Sequence, residues 1–182
     1  MRNIVNSTYV TLDGIVSQPE QWSLDYFDQG AGAYALDKLR AADALLMGRV
    51  TYTGFAEAWS ARSGDEFSDT MNRIPKHVAS RTLVNPTWNN TEVLDGELVD
   101  AVRGLKDGDG GDILMYGYGP VAQQLVAHGL LDHLSLWIHP VLLGTAGSSV
   151  FAPGVAGRFG TVTTRRFDSG VVVLELTDPV TT

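Results

Sequence analysis

Two hydrophobic periods follow one another along this chain, and their order predicts the architecture. Residues 2–10 read as a strand running into the turn pair Asp13–Gly14, and the polar, aromatic stretch 17–30 reads as a loop. Ala31–Ala42 has helical spacing, with Ala35, Leu36, Leu39 and Ala42 on one face, and Ala44–Met47 is a short apolar strand. Thr51–Trp59 is a second helix, carrying Tyr52, Phe55, Ala56 and Trp59 on one stripe. Ser60–Arg73 is polar and reads as a loop or a frayed helix. Lys76–Ser80 and Thr91–Leu94 read as strands, and Asp95 as the N-cap of a helix bearing Leu98, Val102 and Leu105. A strand over Asp112–Tyr116 passes through Gly117–Tyr118–Gly119–Pro120 into a helix over Val121–His128, closed by Gly129. Beyond Asp132 the period becomes two: Leu134, Leu136 and Ile138 alternate with His133, Ser135 and Trp137. Residues 161–167 and 171–177 form a hairpin over Asp168–Ser169–Gly170. Strands alternating with helices, then strands following strands, predict an α/β domain. Its sheet is mostly parallel, with helices on both faces and antiparallel strands added late.

Composition narrows the function classes. The 182 residues fit one domain. A net charge of −8 argues against nucleic acid and anionic membrane surfaces as partners, though a few converging arginines can still hold an anion. With no cysteine, thiolate catalysis, thiolate zinc sites and iron–sulfur clusters are excluded. Met1–Asn6 carries no secretory signal, no apolar run is long enough to span a membrane, and the cytoplasm is the expected location. The sequons at Asn6 and Asn89 are not read as glycosylation sites for the same reason. None of the four histidines has a metal-ligand spacing; His133 and His139 share a strand face and are read as packed or solvated imidazoles.

The candidate chemistry lies at two strand-to-helix junctions. Glycines let backbone approach a ligand, and a helix N-terminus offers free N–H groups and partial positive charge to phosphate. Gly117–Ala122 fits G-x-G-x-x-A, but the next strand ends at Ile138–His139–Pro140 without the carboxylate that a Rossmann ribose site needs. The bland reading is a tight turn with Pro120 at the first helical position. Gly48–Arg49–Val50–Thr51 repeats the grammar with a cation placed against the helix dipole, a conflict an anionic ligand would resolve. Ser80–Arg81 adds a hydroxyl and a guanidinium. A ribose 2′-phosphate on Arg49, Ser80 and Arg81 would favour NADPH over NADH; the alternative is two surface arginines. Trp22, Tyr26, Phe27, Tyr52, Phe55 and Trp59 either line a pocket for a flat ring or pack in core and loop. Asp13 is a turn residue first and a polar group at the site mouth second.

An ordered set of motifs carries a resemblance. Val10–Gly14, Met47–Tyr52, Ser80–Leu83, Gly117–Pro120, Gly129–Asp132 and His139–Gly144 occur in this order. From about residue 2 to 178 the chain resembles the dihydrofolate-reductase-like superfamily. More specifically, it resembles stand-alone proteins similar to the C-terminal reductase domain of the bifunctional riboflavin-biosynthesis deaminase–reductase. The resemblance implies a three-layer α/β/α domain with a mostly parallel sheet of about eight strands and antiparallel C-terminal strands. It implies NADPH as cofactor, bound by Gly48, Arg49, Thr51, Ser80, Arg81, Gly117, Tyr118, Gly119, Pro120 and Val121. It implies a small heterocyclic substrate; the residue reading, apart from the resemblance, offers Trp22, Tyr26, Tyr52 and Phe55 as candidate contacts and Asp13 as the candidate catalytic group. The nearest named activity is reduction of 5-amino-6-(5-phosphoribosylamino)uracil, for whose phosphate Arg73, Lys76 and Arg158 are the loose candidates. Folate-reducing relatives carry an acid early in the first helix. An ungapped count places Gly32 there, with Asp28 and Asp37 out of position, which argues against dihydrofolate reduction. Those relatives also have a Gly-Gly pair where this chain has Gly117–Tyr118, so Tyr118 is expected to narrow the nicotinamide pocket or stack on a ligand. The deaminase's zinc-binding histidine and cysteines are absent. The rival reading is a nucleotide-binding or ligand-sensing protein that kept the cleft without catalysis. The edge after Leu134 offers an apolar face for a homodimer.

Overall fold

The computed structural model describes residues 1–151 and 153–180. Among these, eight strands form one sheet: β1 (Ile4–Thr11), β2 (Ala42–Gly48), β3 (Lys76–Ala79), β4 (Thr91–Val93), β5 (Asp112–Tyr116), β6 (His133–His139), β7 (Arg158–Arg166) and β8 (Val172–Val180). Their order is β4-β3-β2-β5-β1-β6-β8-β7. Pairs from β4 through β6 are parallel; β8 runs against both of its neighbours. The helices are α1 (Gln29–Ala41), α2 (Arg49–Trp59), α3 (Glu66–Arg73), α4 (Leu98–Asp107) and α5 (Pro120–Ala127). No helix of the described residues is long and apolar enough to cross a membrane.

The two-residue period of the strands divides the core into two layers. Val5, Leu45, Met47, Val78 and Leu114 face Leu39 of α1, Tyr52 of α2 and Met71 of α3. Their chain neighbours Ile4, Ala44, Leu46, Ile113 and Met115 face Val102 of α4 and Ala122 and Leu125 of α5. Burial on both faces explains why β2 and β5 read as apolar runs without alternation. Each fully buried leucine or isoleucine stabilises the fold by roughly 1.5–3 kcal/mol. A third cluster, Ala31, Trp137, Phe167, Val171 and Val173, seats α1 against the β6–β8 end.

Two expectations need correction. Ser60–Arg73 contains the helix α3, whose Asp65 carboxylate accepts from Ser68 N at 2.9 Å. The helix is polar overall and buries only Ser68 and Met71, so its periodicity is faint. Asp95 is not the cap of α4; Glu97 occupies that position without a side-chain bond, after Gly96 turns the chain with φ 77°.

Candidate functional site

Parallel strands deliver their C-terminal ends to one edge of the sheet, where open α/β sheets bind ligands. The β2–α2 and β5–α5 junctions lie side by side there, because β2 and β5 pair through Leu45–Leu114 and Leu46–Met115. Each junction leans on the other's helix. A Cβ on Gly48 would lie 3.3 Å from Val121 Cγ2, and one on Gly117 would lie 3.1 Å from Thr51 Oγ1. Gly117 also has φ 78°, a left-handed conformation that glycine adopts without strain. Beside Gly119 an added Cβ meets nothing within 4 Å, so the backbone there is open to an approaching group.

The helix starts differ in capping. Asp28 Oδ1 accepts from Ala31 N at 2.7 Å at the head of α1, and Asp65 caps α3. Neither α2 nor α5 has a side-chain cap, so the N–H groups of their first turns are left to solvent or a ligand, apart from Pro120, which has none. Register brings the cations to the same place. Gly48 pairs with Ala79, so Arg49 stands next to Ser80–Arg81 at the end of β3. Ser80 Oγ accepts from Thr82 N at 3.1 Å and Leu83 N at 2.9 Å, which holds the turn that presents Arg81. The Arg81 side chain is 91% exposed and its nearest carboxylate, Glu97, is 3.8 Å away.

One residue that secures this edge escaped the sequence reading. Asn6 on β1 is fully buried; its Nδ2 donates to Gly117 O at 2.8 Å, and its Oδ1 accepts from Thr8 Oγ1 at 2.6 Å. It therefore pins the β5–α5 turn and cannot be a glycosylation site. The available signal was the polar run Asn6–Ser7–Thr8 inside an otherwise apolar strand. Tyr118 also departs from expectation. Its side chain is buried in the layer under α4 and α5, where burial raises the phenol pKa, so it can neither narrow a pocket nor stack on a ligand. What the Tyr118 position offers a ligand is backbone.

The substrate candidates separate into two groups. Tyr52 is the buried core residue of α2; its hydroxyl accepts from Trp88 N at 3.1 Å. Phe55 packs on Tyr116 at 5.0 Å between ring centroids. Trp22 and Tyr26 meet at the β1–β6 end, both edge-on to His139 at 5.2 and 5.9 Å. Tyr9 closes this aromatic group at 4.9 Å from His139. Burial lowers the His139 pKa despite a contact from Nδ1 to Trp137 O at 2.8 Å, which keeps the imidazole neutral at pH 7.

Asp13 serves as a loop clamp. Its Oδ1 accepts from Thr11 Oγ1 at 2.5 Å, and its Oδ2 accepts from Leu143 N at 3.1 Å and Gly144 N at 2.8 Å. These bonds, that from Thr11 foremost, hold its carboxyl below the usual carboxylate range. At neutral pH it is an acceptor with no proton to give. The three loose phosphate candidates are not brought together. Lys76 is buried, its Nζ donating to the carbonyls of Asn72, Ile74 and Asn89. Arg73 donates to Thr70 Oγ1, and Arg158 begins β7. Two surface clefts, of about 590 and 480 Å³, lie beside α3 and between α1 and β7. Both are lined by residues other than those of the glycine junctions, which carry the functional reading.

The comparisons agree with this geometry. A model of the RibD C-terminal domain matches residues 2–173. The uncharacterized protein YyaP of Bacillus subtilis (strain 168) is 29% identical over 177 residues, covering 94% of this chain and 92% of its own. A Shewanella sp. PV-4 structure described as a riboflavin biosynthesis protein superposes with TM-score 0.71 at 21% identity, covering 97% of this chain and 98% of its own. The riboflavin biosynthesis reductase Rib7 of Saccharomyces cerevisiae gives TM-score 0.63 at 14% identity, covering 97% and 90%. The Thermotoga maritima deaminase/reductase gives 0.67 at 17% identity; it is covered over 57% of its length and this chain over 97%. The architecture is thus the α/β dihydrofolate-reductase-like one. With the family model spanning nearly the whole sequence, the chain belongs to the RibD C-terminal domain family.

Proposed function

We propose that the protein is an NADPH-dependent reductase of a small heterocyclic compound. The observation that carries this reading is the mutual packing of Gly48 on Val121 and of Gly117 on Thr51. It sets two uncapped helix starts beside Arg49 and Arg81. The residues present fit the cofactor: open backbone at Gly119, hydrogen-bond donors on both first turns, and two exposed guanidiniums, Arg49 at the head of α2 and Arg81 beyond the neighbouring strand β3. Gly48, Thr51 and Gly117–Val121 would hold the pyrophosphate, and Arg49, Ser80 and Arg81 the 2′-phosphate. Bound there, NADPH supplies the hydride. The chain's own part is to orient the reacting partners and exclude misaligned encounters, which is where proximity contributes most. Asp13 accepts from the Thr11 hydroxyl and two backbone N–H groups, Asp28 accepts from two backbone N–H groups, and both titrate below the usual range, so neither is poised to give the proton that accompanies the hydride.

Titration with NADPH and NADH, followed by tryptophan fluorescence, tests this reading. Tighter binding of NADPH is expected. Arg49→Ala and Arg81→Ala should each weaken NADPH by roughly 10- to 100-fold, the scale of a hydrogen bond to a charged group, and leave NADH nearly unchanged. Failure of the wild-type protein to bind either nucleotide would sink the proposal. Binding without oxidation of NADPH by any heterocycle would favour the ligand-sensing alternative.

A further inference from the structure

The same sheet edge continues past the cofactor residues, and its chemistry changes there. Arg49, Ser80–Arg81 and Gly117 stand at the ends of β2, β3 and β5. The next strand ends are those of β1 and β6, followed by the segments 12–28 and 140–157. Residues 12–16 of the first are bonded to residues 141–150 of the second. Leu12 N donates to Val141 O at 2.8 Å, Val16 N to Ser148 O at 2.8 Å and Val150 N to Gly14 O at 2.9 Å, with Asp13 clamping Leu143 and Gly144.

We infer that this half of the site takes a flat heterocycle that is uncharged or cationic and carries no phosphate. The inference rests on the reductase reading and names its substrate class. The charge distribution is its first support. The chain has no lysine or arginine from residue 3 to 37 or from residue 107 to 157. The first segment brings Asp13, Glu20, Asp25 and Asp28; the second brings no charged side chain. A phosphate placed among these groups would meet like charge and lose water without gaining a donor cation.

The cations on or just beyond the strands β2, β3 and β7 are engaged elsewhere. Arg49 and Arg81 belong to the nucleotide. Arg165 and Arg166 reach the same edge on β7, but line the groove beside Gly30, Ala33, Tyr34 and Asp37 of α1, where Arg165 covers the Tyr34 ring at 4.5 Å. At about 100° per residue that stripe faces away from Gly32, which packs toward Phe27. Arg158 pairs with Val180 at the opposite end of β7, and Lys76 is enclosed by three carbonyls. The aromatic group supplies the positive half of the argument. Trp22 and Tyr26 stand edge-on to a buried imidazole, a surface that suits a planar uncharged ring.

A matched pair of probes tests this: 5-amino-6-(5-phosphoribosylamino)uracil and its dephosphorylated form, titrated calorimetrically into protein saturated with NADP⁺. The dephosphorylated form should bind at least tenfold more tightly. The double variant Glu20→Gln/Asp25→Asn should shrink that ratio at low salt and leave NADPH affinity unchanged. Equal or tighter binding of the phosphate ester overturns the inference, as does binding of neither probe by protein that demonstrably holds NADPH. Loss of NADPH binding itself reports on the reductase reading separately and, if wild type shows it, removes both.

Discussion

The two halves of this sheet edge solve opposite problems. At the ends of β3, β2 and β5 the polar groups are left available: helix starts lack caps, Gly119 is open, and Arg49 and Arg81 are exposed. At the ends of β1 and β6 polar groups are consumed internally. Asp13 is spent on Thr11, Leu143 and Gly144, Asp28 on Ala31 and Ser169, and Trp22 Nε1 on Ser17 O. The first half is built to receive an anion, and the second carries carboxylates with no lysine or arginine beside them. What sets α2 and α5 apart, from the aspartate-capped α1 and α3 and from the uncapped α4, is that their free starts lie side by side at the ends of two paired strands.

Three substitutions break or sharpen this contrast. The largest effect is expected from Lys76→Met, which leaves the carbonyls of Asn72, Ile74 and Asn89 without their donor at the start of β3, the strand that runs into Ser80–Arg81. A loss of about 3 kcal/mol in denaturant-derived stability should follow. Its pH dependence is diagnostic. Burial lowers the Lys76 pKa from 10.5 to about 8. Between about pH 8 and 10.5 the unfolded chain binds the extra proton, so this lysine makes stability rise with pH across that window. The rise should be present in wild type relative to the Met variant; parallel pH curves for the two proteins would contradict the assignment.

Next in size is Asn6→Leu, which removes the buried amide under Gly117 and strands both Gly117 O and the Thr8 hydroxyl. About 2 kcal/mol of stability should be lost. NADPH should bind at least tenfold more weakly, while the aromatic group at His139 keeps its near-ultraviolet circular dichroism. A stability loss with intact NADPH affinity would reduce Asn6 to a core residue.

The smallest change is expected from Asp13→Asn. It should speed amide exchange at Leu143 and Gly144 and leave NADPH affinity untouched. Because the folded Asp13 pKa lies below its ordinary 3.8, its stabilisation is present above that value and fades as pH falls through the folded pKa. Wild type and variant should therefore converge in strong acid and diverge toward neutrality. An unchanged exchange rate at both amides would show that the clamp does not order the loop.

Much of this contrast is legible before folding. The glycine junctions announce themselves because a strand, a glycine and a helix must be consecutive in sequence, and Gly117 occupies a backbone region that other residues avoid. The charge asymmetry can be read by counting. The helix α3 was obscured because only Ser68 and Met71 face inward, and Tyr52 and Tyr118 read as ligand contacts because helical or turn position alone does not say which way a ring points.

By itself the sequence determined the alternation of elements, the late strands, the two anion-ready junctions and the absence of cations from two long stretches. These are local properties, carried by periodicity and backbone preference. The tertiary structure decided which junctions meet, that Asn6 holds Gly117 from 111 positions away, and that Asp13 clamps Gly144 from 131 positions away. It also decided that His139 is the centre of an aromatic group. A buried polar atom must find a partner, but nothing in its sequence neighbourhood names that partner; the sheet order does, by setting which strand ends share an edge.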